Sequence, residues 1–131
     1  MRIARLLLCA AVALPVVAVA PVRAQGAAQV ISTVAFEFYP GGDEQPNAPL
    51  QILAGSTLVY VNLDPLGSHT VTSDKRDRKR RPIFDSGEGI GLGQYTFVKG
   101  IERLKPGTYK FHCSLHTSQM KGVLTIVGPP V

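Results

Sequence analysis

Apolar and polar residues alternate along much of this chain in short runs closed by Gly, Pro, Asn and Asp. Alternation with a period of two puts every second side chain on one face of an extended backbone, so these runs predict strands packed on one side. Residues 29–39, QVISTVAFEFY, are rich in β-branched and aromatic side chains and alternate through Val34, Phe36 and Phe38, which predicts one strand. PGGDEQPNAP at 40–49 is a loop dense in turn formers. LQILAGSTLVYVNLD divides at Ala54-Gly55-Ser56 into two strands, 50–53 and 57–62, and HTVTSD at 69–74 predicts another. QYTFVKG at 94–100 alternates again, LKPG at 104–107 is a turn, and TYKFHC (108–113) and GVLTIV (122–127) supply the last two strands. IFDSGEGIGLG at 83–93 carries four glycines and reads as a loop with at most a short strand. No run has the period of roughly 3.6 residues that would bury one face of a helix. The expectation is an all-β fold: an antiparallel Greek-key β-sandwich of seven to eight strands.

The first 24 residues stand apart from this pattern. Arg2 and Arg5 precede an apolar run from Leu6 to Ala20, and Val22-Arg23-Ala24 offers small residues for cleavage, the layout of a secretory signal peptide. Pro15 interrupts the run, which is shorter than the roughly 20 residues needed to cross a bilayer. Residues 1–24 are therefore expected to be a cleaved signal, with residues 25–131 forming one domain exported to the periplasm. Export changes the charge and cysteine accounts. The whole chain has 14 basic and 9 acidic residues and two cysteines. Loss of Arg2, Arg5, Arg23 and Cys9 leaves a mild positive excess and a single thiol, Cys113. A lone thiol in an oxidising compartment forms no internal disulfide and is exposed to oxidation unless it is buried or bound.

Cys113 belongs to FHCSLHTSQMKG at 111–122, which gathers a cysteine, two histidines and a methionine between two predicted strands. With a two-residue period, Tyr109, Phe111 and Cys113 share one strand face, while Lys110 and His112 share the other. Cys113 should point inward and His112 away from it. The loop after Cys113 is long enough to return His116 and Met120 towards the sulfur. Among the chain's three histidines, only His69 remains as a further donor, placed where a strand leaves the turn-rich NLDPLGS. Two imidazoles and a thiolate with a distant thioether suit copper: sulfur favours Cu(I), imidazole favours Cu(II), and neither state obtains its own geometry. Zinc prefers four strong tetrahedral donors, and a thioether is a weak one.

These segments, Asn62-Leu63-Asp64 with His69-Thr70-Val71, then Tyr109 to His116 and Met120-Lys121-Gly122, resemble the cupredoxins, nearest the plastocyanin, pseudoazurin and amicyanin group. The resemblance covers roughly residues 30–127. It implies a mononuclear type 1 copper held by His69, Cys113, His116 and Met120, and a backbone N–H of Thr70 donated to the thiolate. Three residues, Thr117-Ser118-Gln119, separate His116 from Met120, an interval different from the family's commoner ones. Asn62 either ties the ligand loops together through its amide or initiates a plain turn.

The function implied is electron transfer by a periplasmic blue copper protein, not an enzyme, working as a monomer between redox partner proteins. The alternative is a copper carrier or buffer with the same ligands and no redox shuttle role. A Cys113 nucleophile with His116 as base is chemically possible, but leaves Met120 unexplained. Residues 75–82, KRDRKRRP, are a solvated loop with six basic residues in the first seven. The resemblance implies that Lys75, Arg76, Arg78, Lys79, Arg80 and Arg81 flank His112 and steer a partner with an acidic docking surface. No aromatic residue interleaves these charges, so nucleic acid is not expected as a partner, and no membrane association is expected after signal cleavage. Pro65, Leu66, Gly67 and Leu115 are candidates for an apolar contact surface beside His116.

Overall fold

The computed structural model describes residues 28–41 and 45–128. The expected signal at 1–24 lies outside the described residues. Eight strands form two four-stranded sheets. One sheet has the order β2-β1-β4-β6, from β1 (Gln29–Val34), β2 (Glu37–Pro40), β4 (Leu58–Asn62) and β6 (Tyr95–Phe97). The other has the order β3-β8-β7-β5, from β3 (Leu50–Leu53), β5 (Thr72–Ser73), β7 (Gly107–His112) and β8 (Lys121–Val127). The sole helical element among the described residues is a single 3₁₀ turn, Ile101–Arg103. The β-sandwich read from the alternation is therefore present.

The alternating positions build the core. Ile31, Phe38, Leu58 and Tyr60 from one sheet meet Leu50, Ile52, Phe111, Leu124 and Ile126 from the other, all buried. Each such side chain contributes roughly 1.5–3 kcal/mol of hydrophobic stabilisation. Phe38 and Phe111 cross between the sheets edge to face, with centroids 5.0 Å apart.

Three differences from the sequence reading have physical causes. The strand expected over 29–39 is a hairpin. Ala35 and Phe36 form its two-residue turn with φ of 49° and 62°, and Val34 pairs with Glu37 across it. Two left-handed residues define the turn that best fits a twisted hairpin, but its usual sequence is Asn-Gly. The strand expected over 69–74 keeps only Thr72–Ser73 as ladder, with His69 bridging Ile90. In the remainder the backbone bonds to side chains: Thr70 N–H donates to Cys113 Sγ (3.4 Å) and Val71 N–H to Ser86 Oγ (2.8 Å). Finally, β1–β4 and β3–β8 run parallel and the other four strand pairs antiparallel. Parallel neighbours arise because the chain crosses to the other sheet, through β3, between β2 and β4.

Candidate metal centre

Cys113 follows directly after β7, and the pleat turns it inward with Phe111, leaving no exposed surface. His112 faces the other way, as the alternation requires, and its Nδ1 bonds to Asp74 Oδ1 at the surface. After Cys113 the chain winds through a chain of turns. His116 N–H donates to Cys113 O (3.2 Å), Gln119 N–H and Met120 N–H both donate to His116 O (3.1 and 3.0 Å), and Cys113 N–H donates to Met120 O (3.1 Å). The three residues between His116 and Met120 thus form one helical turn that is not continued. This closes the loop so that Met120, fully buried, is tied by its backbone to Cys113.

His69 enters from the connection between β4 and β5, held by reciprocal backbone bonds with Ile90 (3.2 and 3.1 Å). The donors meet. His69 Nδ1 lies 3.1 Å from His116 Nδ1 and 3.8 Å from Cys113 Sγ, and His116 Nδ1 lies 3.6 Å from the same sulfur. A triangle with these sides has its centre about 2.0 Å from each corner, the length of a metal–imidazole bond. The three donor atoms are therefore spaced for one metal ion, and Met120 lies fully buried, its backbone bonded to that of Cys113. Among the described residues, His69, Cys113 and His116 are the group of three or more potential ligands that could hold a metal.

The surroundings set the state of these groups. Thr70 Oγ1 accepts from Ser114 N–H (2.8 Å) and lies 3.0 Å from Ser114 Oγ, joining the two ligand segments beside the sulfur. Asn62 ties the loop that leads to His69 to the segment at Ile90, and among the described residues makes no bond to the Cys113–Met120 loop. Its Nδ2 donates to Gly67 O (2.8 Å) and Ile90 O (2.7 Å), while its Oδ1 accepts from Asp64 N–H and Thr33 Oγ1, both at 2.9 Å. Buried polar side chains satisfied in this way specify one arrangement of the loops. Burial holds the His69 imidazole below its ordinary pKa, against the pull of the Asp64 carboxylate, and His116 pushes in the same direction as burial. His69 is therefore neutral at neutral pH, as metal ligation requires.

Two residues at the site were not legible as such. Asp64 is completely buried and bonds His69 Nε2 at 3.0 Å. Burial alone would raise its carboxyl, but N–H donors from Phe36 and Leu66, and His69 itself, bring it below the usual carboxylate range. Phe36 sets its ring edge-on to both imidazoles, 5.3 Å from His69 and 4.9 Å from His116. In the sequence Asp64 resembles any turn-forming acid, and Phe36 any inward position of a strand.

No protein-family model matches the chain, and no curated protein matches it. Solved structures do. Amicyanin from Paracoccus versutus is 18% identical, with the match covering 76% of this chain and 81% of that one at a TM-score of 0.55. Auracyanin from Roseiflexus castenholzii is 16% identical over 78% of this chain and 97% of that one, with a TM-score of 0.53. The Cu-containing nitrite reductase from Thermus scotoductus SA-01 is 26% identical over 90% of this chain, at a TM-score of 0.56, but this chain spans only 25% of that protein. The fold is that of the cupredoxins, and the donor set fits one type 1 copper ion.

Proposed function

We propose, from this cupredoxin fold and its converging donors, that the protein is an exported one-electron carrier whose copper ligands are His69, Cys113, His116 and Met120. The observation that carries the reading is the triangle of two Nδ1 atoms and one Sγ, sized for a single metal ion. Copper held there would supply a one-electron couple with mixed soft and borderline donors. The chain's own residues do the rest. Thr70 N–H holds the sulfur, Thr70 Oγ1 joins the two ligand segments through Ser114, and the Asn62 amide fixes the loop that leads to His69, so the donors need not move between oxidation states. His69, Cys113 and Met120 have no exposed surface, whereas His116 is half-buried. A site closed to substrate but open at one imidazole edge suits outer-sphere electron exchange better than catalysis.

Exposed leucines adjoin that imidazole: Leu115, next in the chain to His116, is 55% exposed, and Leu66, 66% exposed, precedes Gly67, where a Cβ would lie 3.8 Å from His116 Cε1. They form the apolar contact with a redox partner. The basic loop begins beside His112 and Tyr109, where Asp74 bonds His112 and the Lys75 ammonium lies 6.0 Å from the Tyr109 ring centre. Its exposed cations, Lys75 to Arg81, steer a partner with an acidic docking surface. Residues 1–24 act as the export signal and the domain works in the periplasm as a monomer. The amicyanin and auracyanin likenesses support the carrier reading over a copper buffer with the same ligands.

Adding Cu(II) to the purified protein tests the assignment. One equivalent should produce intense absorption towards the red end of the visible from thiolate-to-copper charge transfer, and Cys113→Ser should abolish it. A colourless protein, or a band that survives Cys113→Ser, contradicts the ligand set. Fast reversible reduction in stopped flow supports the carrier, and sluggish exchange supports the buffer.

A further inference from the structure

We propose that Asp64 is a positioning residue for the centre: its carboxylate fixes the ring and tautomer of His69 and seats the Phe36 ring that braces both imidazoles. The inference rests on the reading of His69 and His116 as ligands.

The carboxylate is held rigidly. Its Oδ2 accepts from Phe36 N–H at 2.7 Å and faces His69 Nε2 at 3.0 Å, while its Oδ1 accepts from Leu66 N–H at 2.8 Å. Its own N–H donates to the Asn62 side chain. Among the described residues no Lys or Arg lies within ion-pair distance of it. The negative charge is therefore shared only with peptide N–H groups and one imidazole, in a site without water access, where it is weakly screened.

Two consequences follow from this placement. A carboxylate can only accept from a neutral imidazole, so Nε2 carries the proton and the Nδ1 lone pair of His69 faces the sulfur and the second imidazole. One ring away, the fixed negative charge favours the more highly charged oxidation state of a bound copper. The second consequence runs through the hairpin turn. A bulky residue avoids the left-handed region, yet Phe36 sits there at φ 62°, with its N–H donated to Asp64. That bond keeps the turn in the conformation that delivers the Phe36 ring edge-on to both histidines. One carboxylate thereby restrains one ligand directly and both ligands through the aromatic ring.

Asp64→Asn and Asp64→Ala separate charge from hydrogen bonding. The Asn oxygen can still accept from His69 and Phe36, but the charge is gone, and the amide nitrogen in the Oδ1 place no longer accepts from Leu66 N–H. The copper-loaded Asp64→Asn protein should favour Cu(I) about tenfold more than wild type, an upward shift in potential of ~59 mV for one electron, with the charge-transfer band retained. In the metal-free proteins, nitrogen-15 spectra should show His69 as a single Nε2–H tautomer in wild type and a tautomer mixture in Asp64→Ala. If Asp64→Asn loses thermal stability while its potential and the His69 tautomer stay those of wild type, the carboxylate is merely structural and the proposal fails. Should Asp64→Ala not fold, the potential of Asp64→Asn decides. A wild-type protein that never turns blue refutes the ligand reading instead, and the metal-free tautomer spectra still judge the link between Asp64 and His69.

Discussion

Phe111 and Gly122 face one another across the β7–β8 ladder, and a Cβ on residue 122 would fall within the Phe111 ring. The ring lies flat over the neighbouring strand only because residue 122 has no side chain. Phe111 also packs against Phe38 and precedes the inward-facing Cys113 by one pleat repeat. Gly122→Ala should therefore destabilise the protein by about 1–3 kcal/mol, the usual effect of overpacking, measured by urea denaturation. An unchanged midpoint would show that Phe111 can swing aside freely. At this scale, what could be read in the sequence depended on how rare a residue type is. One cysteine and three histidines in the domain leave few combinations, so the donors that converge at the centre could be named in advance. Asn62 could be noticed but not assigned one role. Asp64 and Phe36 were invisible because a carboxylate in a turn-rich run and an aromatic residue in an alternating one are ordinary. Only their tertiary partners make them unusual.

The β1–β2 hairpin shows the same limit in a whole element. Its turn, Ala35-Phe36, carries none of the Gly, Asn or Asp that normally announces two left-handed residues, and the apolar alternation continues through it. The conformation is instead imposed from outside by Asp64 accepting the Phe36 N–H. Because Ala gains nothing from the left-handed region and Asn tolerates it, Ala35→Asn should stabilise the fold by about 0.5–1 kcal/mol. A melting temperature at or below that of wild type would mean that Ala35 carries no strain. The strand expected over 69–74 was shortened for a related reason: its N–H groups serve Cys113 and Ser86 rather than a neighbouring strand. Where backbone donors are committed to a site, a strand-like sequence yields only a fragment of ladder. By contrast β3, β4, β7 and β8 match their alternation closely, since their backbones are committed to neighbouring strands. The two parallel pairs could not be read, because alternation reports which face is buried and not which strand lies alongside.

Across the whole molecule, apolar and basic surfaces occupy different places. Leu115 and Leu66 are exposed next to the His116 segment, whereas the basic loop starts after Asp74, the partner of His112, and carries Lys75 to within 6.0 Å of the Tyr109 ring centre. Within the basic loop Asp77 accepts from the Lys79 and Arg81 N–H groups and pairs with the Arg81 guanidinium, so the loop has a defined shape. A positive field on this side should accelerate encounter with anions at low salt. Oxidation of the reduced copper protein by hexacyanoferrate(III) should slow severalfold between about 10 mM and 150 mM salt, as the screening length falls from ~30 Å to ~8 Å. Arg78→Glu with Lys79→Glu should remove most of the low-salt advantage. Rates indifferent to salt in the wild type would show that the loop is only a solvated connection. All of these effects presuppose that one metal ion sits where His69, Cys113 and His116 meet. X-ray absorption at the copper edge of the loaded wild-type protein tests that most directly. Two imidazole nitrogens and one closely bound sulfur as nearest neighbours are the predicted result; a set of nitrogen and oxygen neighbours without sulfur would contradict it.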